Sequence, residues 1–393
     1  MKQQLAAVAF VLAAMTQAVA PACAAAGVSR DEIVIGSIQD LSGPISALGV
    51  HFRNGLEMRF DEENARGGIH GRRIRLVVED SGYDPRRAVL AAQKLIQRDG
   101  VFALINDLGS PVVMATMPMA LEHGVLHLFP GAPLAATYEP VHPLKFQIFA
   151  PYSATTPIAL RHLLRSGGYR RPAILYQDDD FGHEVLRGFE ATLREIGLPV
   201  CEKTSYKRGA TDFASQIARL RSAGCDFVTL ATVVRETVGA VSAARRAGWQ
   251  VPMLVTTAAY SAQIHELGGA AMEGLYGVAQ VPHPYRDEAN PQLTAWIERY
   301  ARRFGVEPNT WSVQAWLSAE LFIRAARDAG PALDAARLSA ALERLSTPPD
   351  FFGSPGFVFT PADHLGMRAA RIVQIRNGRW RYLGDYLRPE TRP

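Results

Sequence analysis

Short apolar runs alternate with longer amphipathic stretches along most of this chain, and the alternation occurs in two successive series. From Ile33, the runs IVIGSI, RIRLVVED, VFALIND and VLHLFPG are separated by FRNGLEMRFDEENA, PRRAVLAAQKLIQRDG and PVVMATMPMALEHG. The apolar runs have strand length and the intervening stretches have helix length, with Pro85 suited to a first helical turn and Gly100 to a stop. Strands alternating with such helices mean βαβ units and a parallel sheet covered on both faces. After KFQIFAPYS the series restarts with RPAILYQ, PVCEKTSY, CDFVTLATV, VPMLVTT and GLYGVAQVP. The two series share a plan without close sequence repetition. With 393 residues, 48% of them hydrophobic, the chain has enough apolar surface for two medium domains with real cores.

Beyond Pro282 lie three further helical stretches, NPQLTAWIERYARRFG, TWSVQAWLSAELFIRAARDAG and DAARLSAALERLS. The strand-like GFVFTP and MRAARIVQIRNGRWRYLGDYL follow, the latter with a hairpin turn at Asn377-Gly378. The late helices are expected to return and cover the first domain. The prediction is an α/β fold of two doubly wound parallel-sheet lobes joined by hinge strands. Residues 27–150 and 283–355 would form the N-terminal lobe, and 151–282 and 356–393 the C-terminal lobe. In open sheets of this kind a ligand sits at the carboxyl ends of the strands. The loops there include Asp40-Leu41-Ser42-Gly43-Pro44, Asn106 to Ser110, Phe129 to Pro133, Gln177 to Phe181, Thr232-Val233 and Thr256-Thr257.

The N-terminus has the form of a secretory signal: a positive MKQQ, the apolar run LAAVAFVLAAMTQAVA and small residues in PACAAAG. Residues 1–26 are therefore read as a signal peptide, cleaved after Ala24 or Ala26. Ala20-Pro21-Ala22-Cys23 is a poor lipobox, so lipid anchoring at Cys23 is the lesser alternative. Export permits a disulfide between the remaining Cys201 and Cys225. Each stands at the start of a predicted strand, however, and those two strands flank a third in a doubly wound sheet. The expectation is two unpaired, small, buried hydrophobes.

Other chemistries lack their residues. Net charge is +4 with no basic stripe, which argues against nucleic acid. The SGP loop has neither GxGxxG nor GKS/T, so a phosphate cradle is not indicated. Asp178-Asp179-Asp180 lacks the alternation and distal glutamate of a calcium loop and reads as a cap for the helix at Phe181. No HExxH or GxSxG occurs, and neither a cofactor nor a metal is expected. His51 lies near the SGP loop, His283 sits at a lobe crossing, and Arg235 opens a helix beside a strand end. Trp311 and Trp316 are read as packing.

The segments DLSGPISALG, NARGGIHGRRIRLVVEDSGYDPRRAV, YQDDDFGHEVLRGF, ARRAGW and MEGLYG occur in the order found in the branched-chain amino acid binding proteins. The chain resembles these type I periplasmic substrate-binding proteins of ABC transporters over essentially its whole mature length. The resemblance implies a non-catalytic two-lobed clamp in the periplasm, a monomer, docking on the membrane permease subunits of an importer. A periplasmic sensor feeding a membrane receptor is the alternative. It also implies site residues. Ser110 and the backbone at Gly131 and Ala132 would hold a carboxylate, with Pro133 where relatives have threonine. Leu48 and Phe181 replace aromatic residues, and Val233 lies near a further tyrosine position. The acid that receives an α-ammonium falls at Thr257. The expected ligand is therefore a small carboxylate or neutral polar compound with an apolar or aromatic body and no free α-amino group, with an amino-acid-like ligand whose amine meets Asp178, Asp179 or Asp180 as the alternative. Leu48, Tyr152, Phe181, Val233 and Tyr260 would wall it, and Ser42, Ser110 and Thr257 would hydrogen-bond it.

Overall fold

The computed structural model describes residues 26–388; the apolar N-terminal run and Cys23 fall outside them. The first series of strands is β1 (Glu32–Gln39), β2 (Arg73–Asp80), β3 (Ala103–Ile105), β4 (Leu126–Leu128) and β5 (Lys145–Phe149). Helices α1 (Ser46–Asn64), α2 (Pro85–Gln93) and α3 (Ser110–Glu122) lie between them. The second series is β6 (Pro172–Gln177), β7 (Lys203–Tyr206), β8 (Phe227–Ala231), β9 (Met253–Val255) and β10 (Tyr276–Ala279). It carries α4 (Tyr152–Gly167), α5 (Asp180–Ile196), α6 (Ala214–Ser222), α7 (Val234–Arg246) and α8 (Gln263–Gly268). Then come α9 (Pro291–Phe304), α10 (Thr310–Asp328) and α11 (Ala335–Leu342), and the strands β11 (Leu365–Met367), β12 (Arg371–Ile375) and β13 (Trp380–Tyr382).

The strands form two sheets, ordered β11-β5-β4-β3-β1-β2 and β13-β12-β10-β9-β8-β6-β7. The first is parallel throughout. Seven of the eight residues of β1 are buried, as a strand covered on both faces requires. Strand order reverses between β1 and β3 in one sheet and between β6 and β8 in the other. A crevice opens at such a switch point, outside the carboxyl ends. The antiparallel β12–β13 hairpin closes the second sheet, with Asn377 and Gly378 at φ 55° and 64° in its turn.

The late helices do return to the first lobe. α10 packs along α1, with Phe60 edge-on to Phe322 at 6.1 Å. Arg59 joins Glu63 and Glu320 across the same seam. The C-terminal boundary needs correction: residues 356–367 belong to the first lobe. β11 pairs in parallel with β5, and Phe359 packs against Phe129 and Phe146 at 5.9 Å. The alternating apolar residues of GFVFTP fill the first core without forming a full strand. The lobes are thus connected near residue 150, through Gln280 to Pro284, and between β11 and β12.

The cysteine expectation also fails. Cys201 and Cys225 form a disulfide with Cα atoms 5.7 Å apart. β7 and β8 do flank β6. But Cys201 N–H donates to Pro172 at the first residue of β6, and Asp226 N–H donates to Arg171 just before it. Both cysteines therefore lie at the edge where β6 begins, and no strand stands between them.

Candidate functional site

The carboxyl ends of both sheets face one cavity of about 50 Å³, a few times the room one ordered water needs. From the first lobe come Leu48 on α1, Ser110 on α3, and Gly131 and Pro133 after β4; from the second come Tyr152, Phe181, Val233 and Thr257. None of the residues lining it carries a charged side chain.

Helix starts supply its polarity. α3 begins after Gly109, which has φ 99° and no side-chain cap. A Cβ there would lie 2.4 Å from the Tyr83 ring, so both the backbone and the packing require glycine. Ser110 is the first helical residue, and its N–H has no intrahelical partner. Its hydroxyl, in a residue only 2% exposed, has no protein partner among the described residues. α4 and α7, starting at Tyr152 and Val234, also lack side-chain caps. α3 thus directs partial positive charge at the cavity without any arginine or lysine, whereas at α4 the Tyr152 N–H donates to the Pro133 carbonyl at 3.0 Å and α7 carries Glu236 in its first turn. Beside them, Gln147 Nε2 donates to the carbonyls of Pro130 and Ala132 at 3.2 and 3.3 Å and fixes the loop after β4.

The walls are apolar. Phe52 joins Leu48 from α1, Phe149 ends β5, and Tyr152 meets Phe181 edge-on at 4.9 Å. Trp311 closes another side. Tyr83 reaches across the lobes. Its hydroxyl accepts from Gln177 Nε2 at 3.1 Å, its carbonyl accepts from Arg208, and that guanidinium stands 5.0 Å from the ring centre. Asp179 lies 4.0 Å from Arg208 and completes a latch between loops of opposite lobes. Burial pushes the Tyr83 hydroxyl well above its ordinary range, with Asp179 adding to the effect, so it stays protonated.

Three of the expected residues lie outside the lining. Ser42 is exposed, and its hydroxyl donates to Asp80 at 2.5 Å. The Asp40 carboxylate takes the N–H groups of Ser42, Gly43 and Ile45, so the SGP loop spends its donors on itself. Burial alone would raise the Asp80 carboxyl. Hydrogen bonds from Ser42, Leu41 and Gly82, with Arg87 beside it, hold it at about 2. Ala132 is fully buried behind Gly131. Tyr260 sits at the lobe junction, its hydroxyl accepting from His283 N–H at 3.2 Å and its carbonyl from Thr310 at 3.0 Å.

Of the acidic triplet, Asp179 caps α5, as expected, by accepting from Phe181 and Gly182. His51 bonds Tyr300 at 2.8 Å, and neither it nor Arg235 lines the cavity. Sequence reasoning missed Phe52, Tyr83, Phe149, Gln280 and Gln314, and assigned Trp311 to packing. Gln280 was findable, since it follows β10 at a strand end. Tyr83, at φ 58°, carried no such signal. Among the described residues no group of three or more His, Cys, Asp or Glu is placed to hold a metal, and no helix is long and apolar enough to cross a membrane.

Residues 32–379 match the periplasmic binding protein family, and the chain belongs to it. It is a type I periplasmic binding protein of the branched-chain amino acid group, non-catalytic and solute-binding, of a family that works in the periplasm. It is 26% identical over 365 residues to the Leu/Ile/Val-binding protein homolog 7 of Brucella abortus, covering 85% of each chain. Among solved structures it resembles a fatty acid ABC transporter substrate-binding protein from Thermomonospora curvata. There the TM-score is 0.83 at 23% identity, over 93% of this chain and 95% of that one. It also resembles an ABC transporter solute-binding protein from R. palustris in complex with benzoate, with TM-score 0.80 at 20% identity, over 91% and 98% of the two chains.

Proposed function

We propose that this protein captures a small organic acid, with an apolar or aromatic body and no α-ammonium group, for delivery to the permease subunits of an ABC importer. The observation that carries this reading is the cavity's charge inventory: the uncapped start of α3 with the free Ser110 hydroxyl, and no carboxylate anywhere in the lining. A carboxylate gains from the helix terminus and from charge-assisted hydrogen bonds. An ammonium buried in the same space would have no counter-charge, which is costly. The rings of Phe52, Phe149, Tyr152, Phe181 and Trp311 suit an apolar body. The fatty acid and benzoate proteins above are relatives in fold whose named ligands are carboxylates without an amine.

The test is thermal shift on residues 27–393 with matched pairs: leucine against 4-methylpentanoate, and phenylalanine against 3-phenylpropanoate. A ligand at a thousand times its dissociation constant adds about 4 kcal/mol and shifts the melt by several degrees. The des-amino acids should shift it and the amino acids should not. A larger shift with the amino acids would overturn the reading.

A further inference from the structure

One polar pair in the cavity is not used by a carboxylate held at α3. β9 and β10 are parallel neighbours, with Leu254 opposite Tyr276 and Val255 opposite Gly277. Thr257 follows β9 by two residues and Gln280 directly follows β10, so the two residues leave the carboxyl ends of adjacent strands. Both line the cavity. Gln280 is 3% exposed, its backbone carbonyl is held by the Tyr386 hydroxyl at 3.1 Å, and its side-chain Nε2 is buried with no partner among the described residues. The Thr257 hydroxyl likewise has no protein partner among the described residues. A buried amide left unpaired costs free energy, and native proteins rarely leave one so without a reason.

We infer that Thr257 and Gln280 form a second polar subsite, one that receives an uncharged oxygen, keto or hydroxyl, on the ligand. The inference rests on the organic-acid reading and deepens it: the ligand class becomes oxo or hydroxy acids with an apolar body. An amide and a hydroxyl can both donate to a keto oxygen and can also accept from a hydroxyl. The cavity lining offers no charge to balance an ammonium at this point, which leaves a neutral group. A site built to hydrogen-bond such an oxygen rejects the analogue lacking it, because its own polar groups then stay unpaired.

Calorimetric titration would compare 4-methylpentanoate with its 2-oxo and 2-hydroxy derivatives, and 3-phenylpropanoate with 3-phenyl-2-oxopropanoate and 3-(4-hydroxyphenyl)propanoate. The wild-type protein should bind at least one oxygenated member at least about tenfold more tightly than its parent. Gln280→Met and Thr257→Val should each shrink that preference, read within each variant as the ratio of oxygenated to parent affinity, toward unity. Ligand-free melting curves check that both variants fold, and each serves if the other does not. Oxygenated and parent acids binding alike in the wild type would overturn the inference and leave the organic-acid reading intact. So would a preference that survives both substitutions. If neither the parents nor their derivatives bind while the amino acids do, the organic-acid reading itself falls, and this inference with it.

Discussion

Ser110 makes the clearest single-residue case. Its hydroxyl holds nothing in the protein together, so Ser110→Ala should leave the ligand-free melting temperature within experimental scatter. The same change removes a hydrogen bond to a charged ligand group worth about 1.5 to 3 kcal/mol. Titration should therefore show the acid's affinity falling between about tenfold and a hundredfold. A loss of stability without a loss of affinity would make the serine a structural residue. Thr257→Asp probes the opposite question. A carboxylate at that position supplies the missing counter-charge, so the variant should begin to bind leucine or phenylalanine and lose the des-amino acids. At this scale the sequence was readable where a side chain follows directly from a strand end, as for Val233 and Thr257. It was misleading at Ser42, where nothing local says that Asp40 and Asp80 consume the loop's polar groups. The Asp80 contact spans 38 residues of sequence, and such a partner is invisible before the fold is known.

The latch and the disulfide are features of elements. Arg208 grips Tyr83 from the other lobe through its ring, its carbonyl and the neighbouring Asp179. Arg208→Ala removes contacts that join the two lobes. The dissociation rate should rise several-fold in stopped-flow measurements, while the ligand-free melt shifts little. The disulfide acts elsewhere. It closes a loop of 24 residues, for which chain entropy gives about 3 kcal/mol. Cys201→Ser should lower the melting temperature by several degrees and leave affinity unchanged, because the bond lies at the end of the sheet opposite the cavity. Calorimetry and titration of one sample read both. The element pattern itself was plain from periodicity, Pro85 and Gly100. The disulfide was missed because a rule about strands was applied to residues that precede them.

Across the whole molecule, buried His283 at the lobe crossing couples acidity to stability. Its ring stacks on Tyr285 at 4.3 Å, and both ring nitrogens are buried without partners among the described residues. Burial, with His265, Arg379 and His51 nearby, pushes it down to about 3. An exposed histidine takes up its proton near pH 6.5. Above that value His283 is neutral in both the folded and the unfolded chain, and the fold keeps its full stability. As the pH falls from about 6.5 toward 3, unfolded chains bind a proton that the folded form refuses, so stability declines. Burial lowers His51 to about 4, and it acts in the same sense. The raised carboxyls of Asp179, Glu236 and Asp350 act in the opposite one. His283→Phe should therefore flatten the decline in melting temperature between pH 6.5 and 4, a difference that scanning calorimetry resolves. The two-lobe plan was legible from the repeated alternation, but the place where the last segment changes lobes was not, since β11 is three residues long. That strand has a consequence for how the chain matures. The first lobe's sheet takes its sixth strand, and its α1 face takes α10, from residues that follow the entire second series. A chain emerging N-terminus first can finish the Pro172-to-Ala279 sheet core while the earlier lobe still waits for its own covering. Completion is interleaved in turn: β11 finishes the first sheet, and only the segment after it, β12 and β13, finishes the second, so neither lobe is whole until the last residues of the fold are in place.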